Sequence, residues 1–321
     1  PPFPRRRRQP RFGFKSRGLG DVYKRQLLDN GALGVQRKLY YRELIARFGH
    51  HLALNWNIGE ENGKWIGKHP TPWQTTTQRL AMARFFYDND PYRHHVVIHN
   101  GQLFYDLLGP ESKYTGLSLQ TNREDFGNVH REVLRWRRLS DEAGRHWAVA
   151  VDEPGDHRYS LVPDAVDPEH DLARQNALWG ALMAGAWGVE WYFGYLHEHS
   201  DLTCQDWRSR DLMWDQSRYA LTFFLDGNIP FWHLVPNDEL TPGTNDFVMH
   251  DEQTIVIYQK NGEKGPTIVE GVEGTYGVLW YNPRTGTWSA ESEIMTEGGL
   301  LSIGNAPADP DSDWAILLRK R

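Results

Sequence analysis

The chain has 321 residues, of which 39% are hydrophobic and 24% are charged, so it has the composition of a globular protein with one large domain or a large and a small one. Its formal net charge of −6 gives no general attraction to nucleic acid. The single cysteine, Cys204, excludes an internal disulfide framework and a cysteine metal cluster. No run approaches the ~18 apolar residues of a membrane-spanning helix.

The first 26 residues, PPFPRRRRQPRFGFKSRGLGDVYKRQ, lack both the apolar core of a signal peptide and any hydrophobic periodicity. Their RRRR run could form a basic arm that binds nucleic acid. We favour a different interpretation, because DVYKRQ (Asp21 to Gln26) looks like the translation of a transposon-end adaptor used in sequencing libraries. Residues 1–26 are then not native, and we expect the natural protein to begin further upstream.

From residue 27 to about residue 235, segments with helical spacing of apolar residues alternate with short apolar runs. Thr71 or Pro72 and the N-cap Asp125 mark two predicted helix starts, and Gly49 and Gly144 mark two ends. The predicted helices cover 35–49, 71–90, 125–144, 168–186 and 210–227, and the predicted strands cover 51–58, 94–100, 115–122, 146–155 and 188–195. This alternation predicts an α/β fold with a parallel sheet covered by helices.

A closed (β/α)8 TIM barrel typically needs about 250 residues, whereas this region has only about 200. We therefore expect an N-terminally truncated barrel that contains about strands 4 to 8 of eight. The alternative is an open doubly wound sheet, but no glycine-rich phosphate loop follows any predicted strand. Because a partial barrel exposes a strand edge, we also expect this chain to be inactive or poorly folded alone.

After about Pro236 the sequence changes to short alternating runs separated by Gly, Asn and Pro, which predicts an antiparallel β-sandwich of roughly 80 residues. The segment Asn282 to Gly286 is predicted to be a turn between two of its strands. The predicted domains are a non-native segment at 1–26, a partial TIM barrel at 27–240 and a β-sandwich accessory domain at 241–321.

Functional side chains of a barrel lie at the carboxyl ends of its strands. The strand alternation places Asn57 and Glu61 on one face and turns Glu60 aside, whereas it does not decide between Asp152 and Glu153, since Pro154 interrupts the strand just beyond. The polar and aromatic candidates at these ends are Asn57, Glu60, Glu61, His99, Asn100, Gln120, Asp152, Glu153, Trp191 and Tyr195.

The segment WNIGEE, which begins at Trp56, resembles the fourth strand of clan A glycoside hydrolases. Aligning the tryptophan places Glu61 on the acid/base glutamate of that clan. The segment DEPG, which begins at Asp152, resembles the seventh strand and places Glu153 on the nucleophile. The clan has asparagine where this chain has Glu60, so the choice between Glu60 and Glu61, like that between Asp152 and Glu153, stays open.

The chain also resembles the apiosidase-like barrel enzymes over nearly everything after residue 35. Their C-terminal module is named a collagen-binding domain, which LWYNPRTGTW and DWAILL resemble, and RQNALWGALMAGAWGVEWYFG resembles the segment that leads into their eighth strand. The resemblance implies hydrolysis of a plant, algal or microbial polysaccharide or oligosaccharide without a cofactor, by an extracellular or periplasmic full-length protein. From their positions at the predicted strand ends, we expect Asn57, His99, Asn100, Gln120, Trp191 and Tyr195 to contact substrate.

The implied mechanism is retaining, with carboxyl groups ~5–5.5 Å apart, whereas an inverting pair would be ~6.5–9.5 Å apart. Two other functions remain open: a non-catalytic barrel that binds carbohydrate, and a metal-dependent hydrolase that uses His94, His95 and His99. The segment ADPDSDW, with Asp309, Asp311 and Asp313, resembles a calcium loop but is more typical of a surface turn. Arg174 could form a salt bridge inside the barrel.

Overall fold

The computed structural model of the chain describes residues 28–59, 74–99, 104–203, 205–242, 245–260, 268–270 and 272–321. No helix within these residues is both long and apolar enough to cross a membrane. The α-helices are α1 (Val35–Phe48), α2 (Thr76–Asn89), α3 (Val129–Glu142), α4 (Gly180–Met183) and α5 (Asp211–Asp226). A π-helical segment, Ala173–Trp179, leads directly into α4.

The strands are β1 (Asn55–Asn57), β2 (His95–His99), β3 (Gly116–Gln120), β4 (Ala148–Glu153), β5 (Gly188–Val189), β6 (Val235–Pro236), β7 (Phe247–His250), β8 (Thr254–Gln259), β9 (Ile268–Glu270), β10 (Gly274–Asn282), β11 (Thr287–Trp288), β12 (Ser292–Thr296), β13 (Leu300–Ser302) and β14 (Trp314–Lys320). Short 3₁₀ helices occupy Asp29–Gly31, Tyr105–Leu107, Pro110–Ser112, Trp207–Arg210, Phe231–His233 and Asp238–Leu240.

The first five strands form one parallel sheet in the order β1-β2-β3-β4-β5, which confirms the predicted parallel arrangement. One face of the sheet packs against the helices: the Trp56 ring lies 5.0 Å from Phe86 of α2, and its indole N–H donates to Asp90 at 2.9 Å. Because side chains alternate along a strand, Asn57 and His99 lie on the other face.

One predicted helix start differs from the structure, and another lies outside the described residues. The predicted start near Thr71 or Pro72 lies outside the described residues, and α2 begins at Thr76 after the N-cap Thr75, whose side chain completes a capping box. Asp125 does not cap α3, because its carboxylate binds Arg123 and the Gly127 N–H and because Phe126 adopts a left-handed conformation. The helix therefore begins three residues later than an Asp125 cap would place it, after Asn128.

The predicted helix ends are confirmed. Gly49 is the C-cap of α1, and Gly144 follows the end of α3 with a φ of +87°. Glycine adopts this left-handed conformation without the steric cost that a Cβ atom imposes, so it ends a helix readily. By contrast, the predicted helix at 168–186 begins with π-helical turns, and the predicted strand at 188–195 pairs as a strand only over β5.

The C-terminal region forms an antiparallel sheet in the order β11-β10-β14-β8-β7-β6, with β12 paired to β10, and a separate pair of β9 and β13. One face of the larger sheet forms its own apolar cluster, which includes Val278, Trp280 and Ile316. The other face packs on the helices of the parallel unit, where Tyr258 stacks on Trp179 at 4.6 Å. Leu301 of β13 belongs to the apolar cluster on the first face, so the β9–β13 pair forms the second layer of the predicted sandwich.

Candidate active site

An open cleft of about 350 Å³ lies at the carboxyl ends of the parallel strands. Its walls are Asn57, His99, Ser118, Asp152, Glu153 and Glu190. Asn57 ends β1, and Glu190 follows β5, so residues from the two opposite edges of the sheet line a single cleft. The sheet is therefore curved, and polar side chains from its first four strands and from the residue after β5 line its concave face.

A β-bulge near the end of β4 directs two consecutive acids into this cleft. Pairing between β3 and β4 is regular up to Leu119 opposite Val151, and Gln120 then stands opposite Glu153, so Asp152 is the extra residue. A bulge breaks the strict alternation of side chains and redirects a strand next to an active site. Both acids therefore line the cleft.

Both carboxylate oxygens of Glu153 have a neighbouring side chain. The Gln120 amide donates to Oε2 at 2.9 Å, and His99 Nε2 lies 3.4 Å from Oε1. The other nitrogen of His99, Nδ1, is 2.8 Å from the Ser118 hydroxyl oxygen. These contacts come from two neighbouring strands and hold the Glu153 side chain at the wall of the cleft.

Several acids around the cleft resist ionisation. Burial raises the pKa of Asp152, and Glu153 adds to the effect, while a hydrogen bond with Ser118 and the nearby His99 act in the opposite direction. The pKa of Glu190 is raised by partial loss of hydration and then by Asp152 and Asp201. Burial also raises the pKa of Asp201. Clustered acids with perturbed pKa values in a cleft are typical of functional sites.

Aromatic side chains follow β5 in the chain, and none of them is among the described residues that line the cleft. Tyr195 is 47% exposed, and its ring meets that of Tyr192 edge to face at 5.7 Å and that of His157 at 6.5 Å. Burial and a hydrogen bond with Tyr195 raise the pKa of Tyr192. Trp191 points elsewhere: its indole N–H donates to Ser217 of α5 at 3.0 Å, because the alternation that turns Glu190 towards the cleft turns Trp191 towards the helices.

The structure brings together only some of the predicted site residues. Glu60, Glu61 and Asn100 lie outside the described residues. Asn57, His99, Asp152 and Glu153 line the cleft, whereas Gln120 contacts Glu153 and is not one of the cleft-lining residues. Sequence reasoning missed Glu190, although its position as the first acid after a predicted strand start, in GVE, was a usable signal.

The three histidines considered for a metal do not converge. His94 contacts Asp90 at 2.7 Å and the His51 carbonyl oxygen at 2.8 Å, and His95 contacts Thr115 at 2.9 Å. Within the described part of the chain, no group of three or more His, Cys, Asp or Glu side chains could hold a metal ion. Asp313, one of the acids of the segment that resembles a calcium loop, forms an ion pair with Arg174. The salt bridge of Arg174 therefore lies between the π-helical segment and the antiparallel sheet, and not inside the barrel.

Three solved structures are similar in fold. One is a glycoside hydrolase, with a TM-score of 0.65 and 16% identity, covering 89% of this chain and 68% of that one. A glycoside hydrolase family 5 protein from Bacteroides vulgatus ATCC 8482 has a TM-score of 0.63 and 17% identity, covering 88% and 65%. The glycoside hydrolase family 30 subfamily 8 xylanase Xyn30A from Clostridium acetobutylicum has a TM-score of 0.51 and 11% identity, covering 92% and 74%.

The C-terminal part has a similarity of its own. Residues 229–319 match the family described as "Putative collagen-binding domain of a collagenase". A search of curated proteins gave no match to the sequence. The chain spans about two thirds of the length of the first two solved structures. In fold it is therefore similar to TIM-barrel glycoside hydrolases, and its last part is similar to this C-terminal domain family.

Proposed function

We propose that this chain is part of a glycoside hydrolase that cleaves a polysaccharide or oligosaccharide of plant, algal or microbial origin with two carboxyl groups. The observation that carries the proposal is the position of Glu153, which a β-bulge directs into the cleft and which Gln120 and His99 contact at its two oxygens. The similarity in fold to glycoside hydrolases supports it. The apiosidase-like resemblance and an extracellular or periplasmic location belong to the same proposal.

In this proposal Glu153 is the nucleophile of a retaining mechanism. Its carboxylate attacks the anomeric carbon as the glycosidic carbon–oxygen bond breaks, and Glu61 protonates the leaving oxygen. Water then attacks the glycosyl–enzyme ester while Glu61 takes up a proton, which releases the sugar and restores both groups. Glu60 is a neighbour that raises the proton affinity of Glu61 by repulsion, as an acid catalyst requires.

The remaining cleft residues are proposed to hold the sugar. The Asn57 side chain lies at the wall of the cleft, where its amide can bind a hydroxyl group. Tyr195 offers an exposed ring in the segment after β5, and a flat sugar face can pack on it. Trp191 is not part of this surface, because its indole faces α5.

The test is a panel of polysaccharides, oligosaccharides and aryl glycosides, assayed with the product of the full-length gene. Glu153→Gln and Glu61→Gln are compared with Glu252→Gln, a matched change at an exposed turn. We expect each of the first two variants to lose about 1,000-fold or more in kcat, and the control to keep it. NMR of the first-formed anomer distinguishes retention from inversion. An unchanged kcat in Glu153→Gln, or binding without hydrolysis in the wild type, contradicts the proposal.

A further inference from the structure

We propose that Gln120 is a positioning residue that orients Glu153 for reaction, an inference that rests on the proposed role of Glu153 as the nucleophile. Gln120 was expected to contact substrate. Its side-chain amide instead donates to Glu153 Oε2 at 2.9 Å, and among the described residues it does not line the cleft. The amide therefore acts on the carboxylate from the side and leaves the open side of Glu153 to the substrate.

The bulge and Gln120 work together. If β3 and β4 paired regularly to their ends, Asp152 would stand opposite Gln120, since Leu119 stands opposite Val151. The extra residue shifts the pairing by one, so that Glu153 becomes the partner. Residues directly opposite each other on neighbouring strands have the closest side chains on a sheet face. The Gln120 amide therefore donates its hydrogen bond to Glu153 and not to Asp152.

A second side chain lies beside the other oxygen. His99 Nε2 lies 3.4 Å from Glu153 Oε1, and His99 Nδ1 lies 2.8 Å from the Ser118 hydroxyl. Ser118 and Gln120 are two residues apart in β3, so the same face of one strand presents both. The hydrogen bond from Gln120 restrains rotation of the carboxylate about its terminal bond, and His99 lies beside the other oxygen.

This arrangement distinguishes two adjacent acids that sequence alternation could not separate. Asp152 is the bulged residue, and its hydrogen bond is with Ser118. Glu153 has the Gln120 donor and the His99 contact. A nucleophile must be held in a narrow range of positions relative to the anomeric carbon, because a displacement of about 1 Å can cost roughly 100-fold in rate. The hydrogen bond from Gln120 therefore favours Glu153 as the reacting group.

The test uses Gln120→Ala and Gln120→Glu, with Gln253→Ala as a matched control on an exposed turn. The kinetic substrate is an aryl glycoside of the sugar that the panel identifies, with a leaving group poor enough that formation of the glycosyl–enzyme, the step in which Glu153 attacks, limits kcat. We expect kcat to fall about 10- to 100-fold in both Gln120 variants, with KM changed less than about threefold. The control should keep the wild-type values of both.

Gln120→Glu adds a readout that a merely structural role would not change. The introduced side chain has nearly the same shape but, when ionised, it offers no hydrogen to Glu153 and repels it. At acidic pH the introduced group is protonated and can donate again, so kcat relative to wild type should recover as the pH falls. Gln120→Ala has no such proton and should show no such recovery.

Three results would overturn the proposal. A raised KM with unchanged kcat would make Gln120 a substrate-binding residue, and an unchanged kcat would give it no role in the reaction. A Gln120→Glu variant that folds with wild-type thermal stability but shows no pH-dependent recovery would show that the hydrogen bond from this side chain to Glu153 does not affect the reaction. If Gln120→Ala does not fold, the test is made with Gln120→Glu, which has nearly the same shape as the wild-type side chain. Failure of the proposed function is separate, since it appears as full activity in Glu153→Gln.

Discussion

Arg174 and Asp313 lie 139 residues apart in the chain and form a fully buried ion pair between the helices of the parallel unit and the antiparallel sheet. The guanidinium donates through Nε and Nη2 to the two carboxylate oxygens, each at 2.8 Å. The Tyr258 hydroxyl also bonds Asp313, and Arg174 Nη1 donates to the Glu169 carbonyl oxygen at 2.8 Å. The contact joins the π-helical segment to the residue before β14, so the two units share one polar network.

Removing one partner of this pair should strongly destabilise the protein. Arg174→Met leaves the Asp313 carboxylate in a site that excludes water, and breaking a buried pair in this way typically costs about 3–5 kcal/mol. Asp313→Asn leaves Arg174 its ion pair with Asp171, so its cost should be smaller. The free energy of unfolding, measured by urea denaturation, should fall by about 3–5 kcal/mol in Arg174→Met and by less in Asp313→Asn.

The double variant Arg174→Met/Asp313→Leu provides the internal control. It should recover much of the loss, because neither charge is then buried alone. Arg218→Ala, which removes an exposed partner of Asp215, should leave the unfolding midpoint almost unchanged. If the single changes at the buried pair shift the midpoint no more than this exposed change does, the network does not hold the units together.

Gly155→Ala should cost more stability than Gly144→Ala, although the two glycines have nearly the same backbone conformation. Their φ values are +89° and +87°, so an alanine pays about 1–2 kcal/mol of steric cost at either position. A Cβ atom on Gly155 would lie 2.5 Å from the Phe126 ring, whereas one on Gly144 meets nothing within 4 Å. Overpacking should therefore add about 1–3 kcal/mol at Gly155 alone.

Comparing these two variants isolates the contact with the Phe126 ring. Gly155 is two residues after Glu153, and its N–H donates to Thr121 Oγ1 at 2.9 Å, so its displacement should also lower kcat. Gly144 is at the end of α3, away from the cleft, and its change should lower stability only. Equal unfolding midpoints for the two variants would show that the loop after β4 moves to accommodate the added methyl group without further loss of stability.

Asp152→Asn should stabilise the protein at neutral pH. Burial raises the pKa of this carboxyl above its ordinary value of 3.8. Between the two values the folded protein keeps a proton that the unfolded chain has lost, so stability falls as the pH rises through this window and stays lower above it. Asparagine removes the titration, and the melting temperature of the variant should exceed that of the wild type at pH 7.

The same comparison below about pH 3 should show almost no pH-dependent gain, because both states are then protonated. Glu252→Gln, at an exposed turn, serves as the control for removing a carboxyl group. A gain of the same size at every pH would mean that packing, and not the titration of Asp152, causes it. A loss of stability at pH 7 would contradict the direction of the shift.

Local patterns were sufficient for much of the fold. Alternation of apolar runs with helical spacing predicted five parallel strands, and the sheet has them in chain order. Gly49 and Gly144 were predicted to end helices, and they do. Asp125 failed as a cap because Arg123 and the Gly127 N–H already occupy its carboxylate, and such competition between neighbours is hard to rank from residue types.

The candidate site was predictable in part. The rule that functional groups lie at strand ends selected Asn57, His99, Asp152 and Glu153, all of which line the cleft. It could not assign Gln120, because the partner of its amide depends on the register between β3 and β4. Trp191 was placed among the substrate contacts, and only its hydrogen bond to Ser217 shows that it faces a helix.

The sequence by itself determined the order and type of the elements, since hydrophobic periodicity, helix-ending glycines and turn residues act within a few positions of the chain. Only the tertiary structure decided which acid is oriented and how the two sheets are joined. A bulge at Asp152 exists only relative to a paired strand, and the Arg174–Asp313 pair joins residues 139 positions apart. Both depend on contacts between distant segments, which no local pattern encodes.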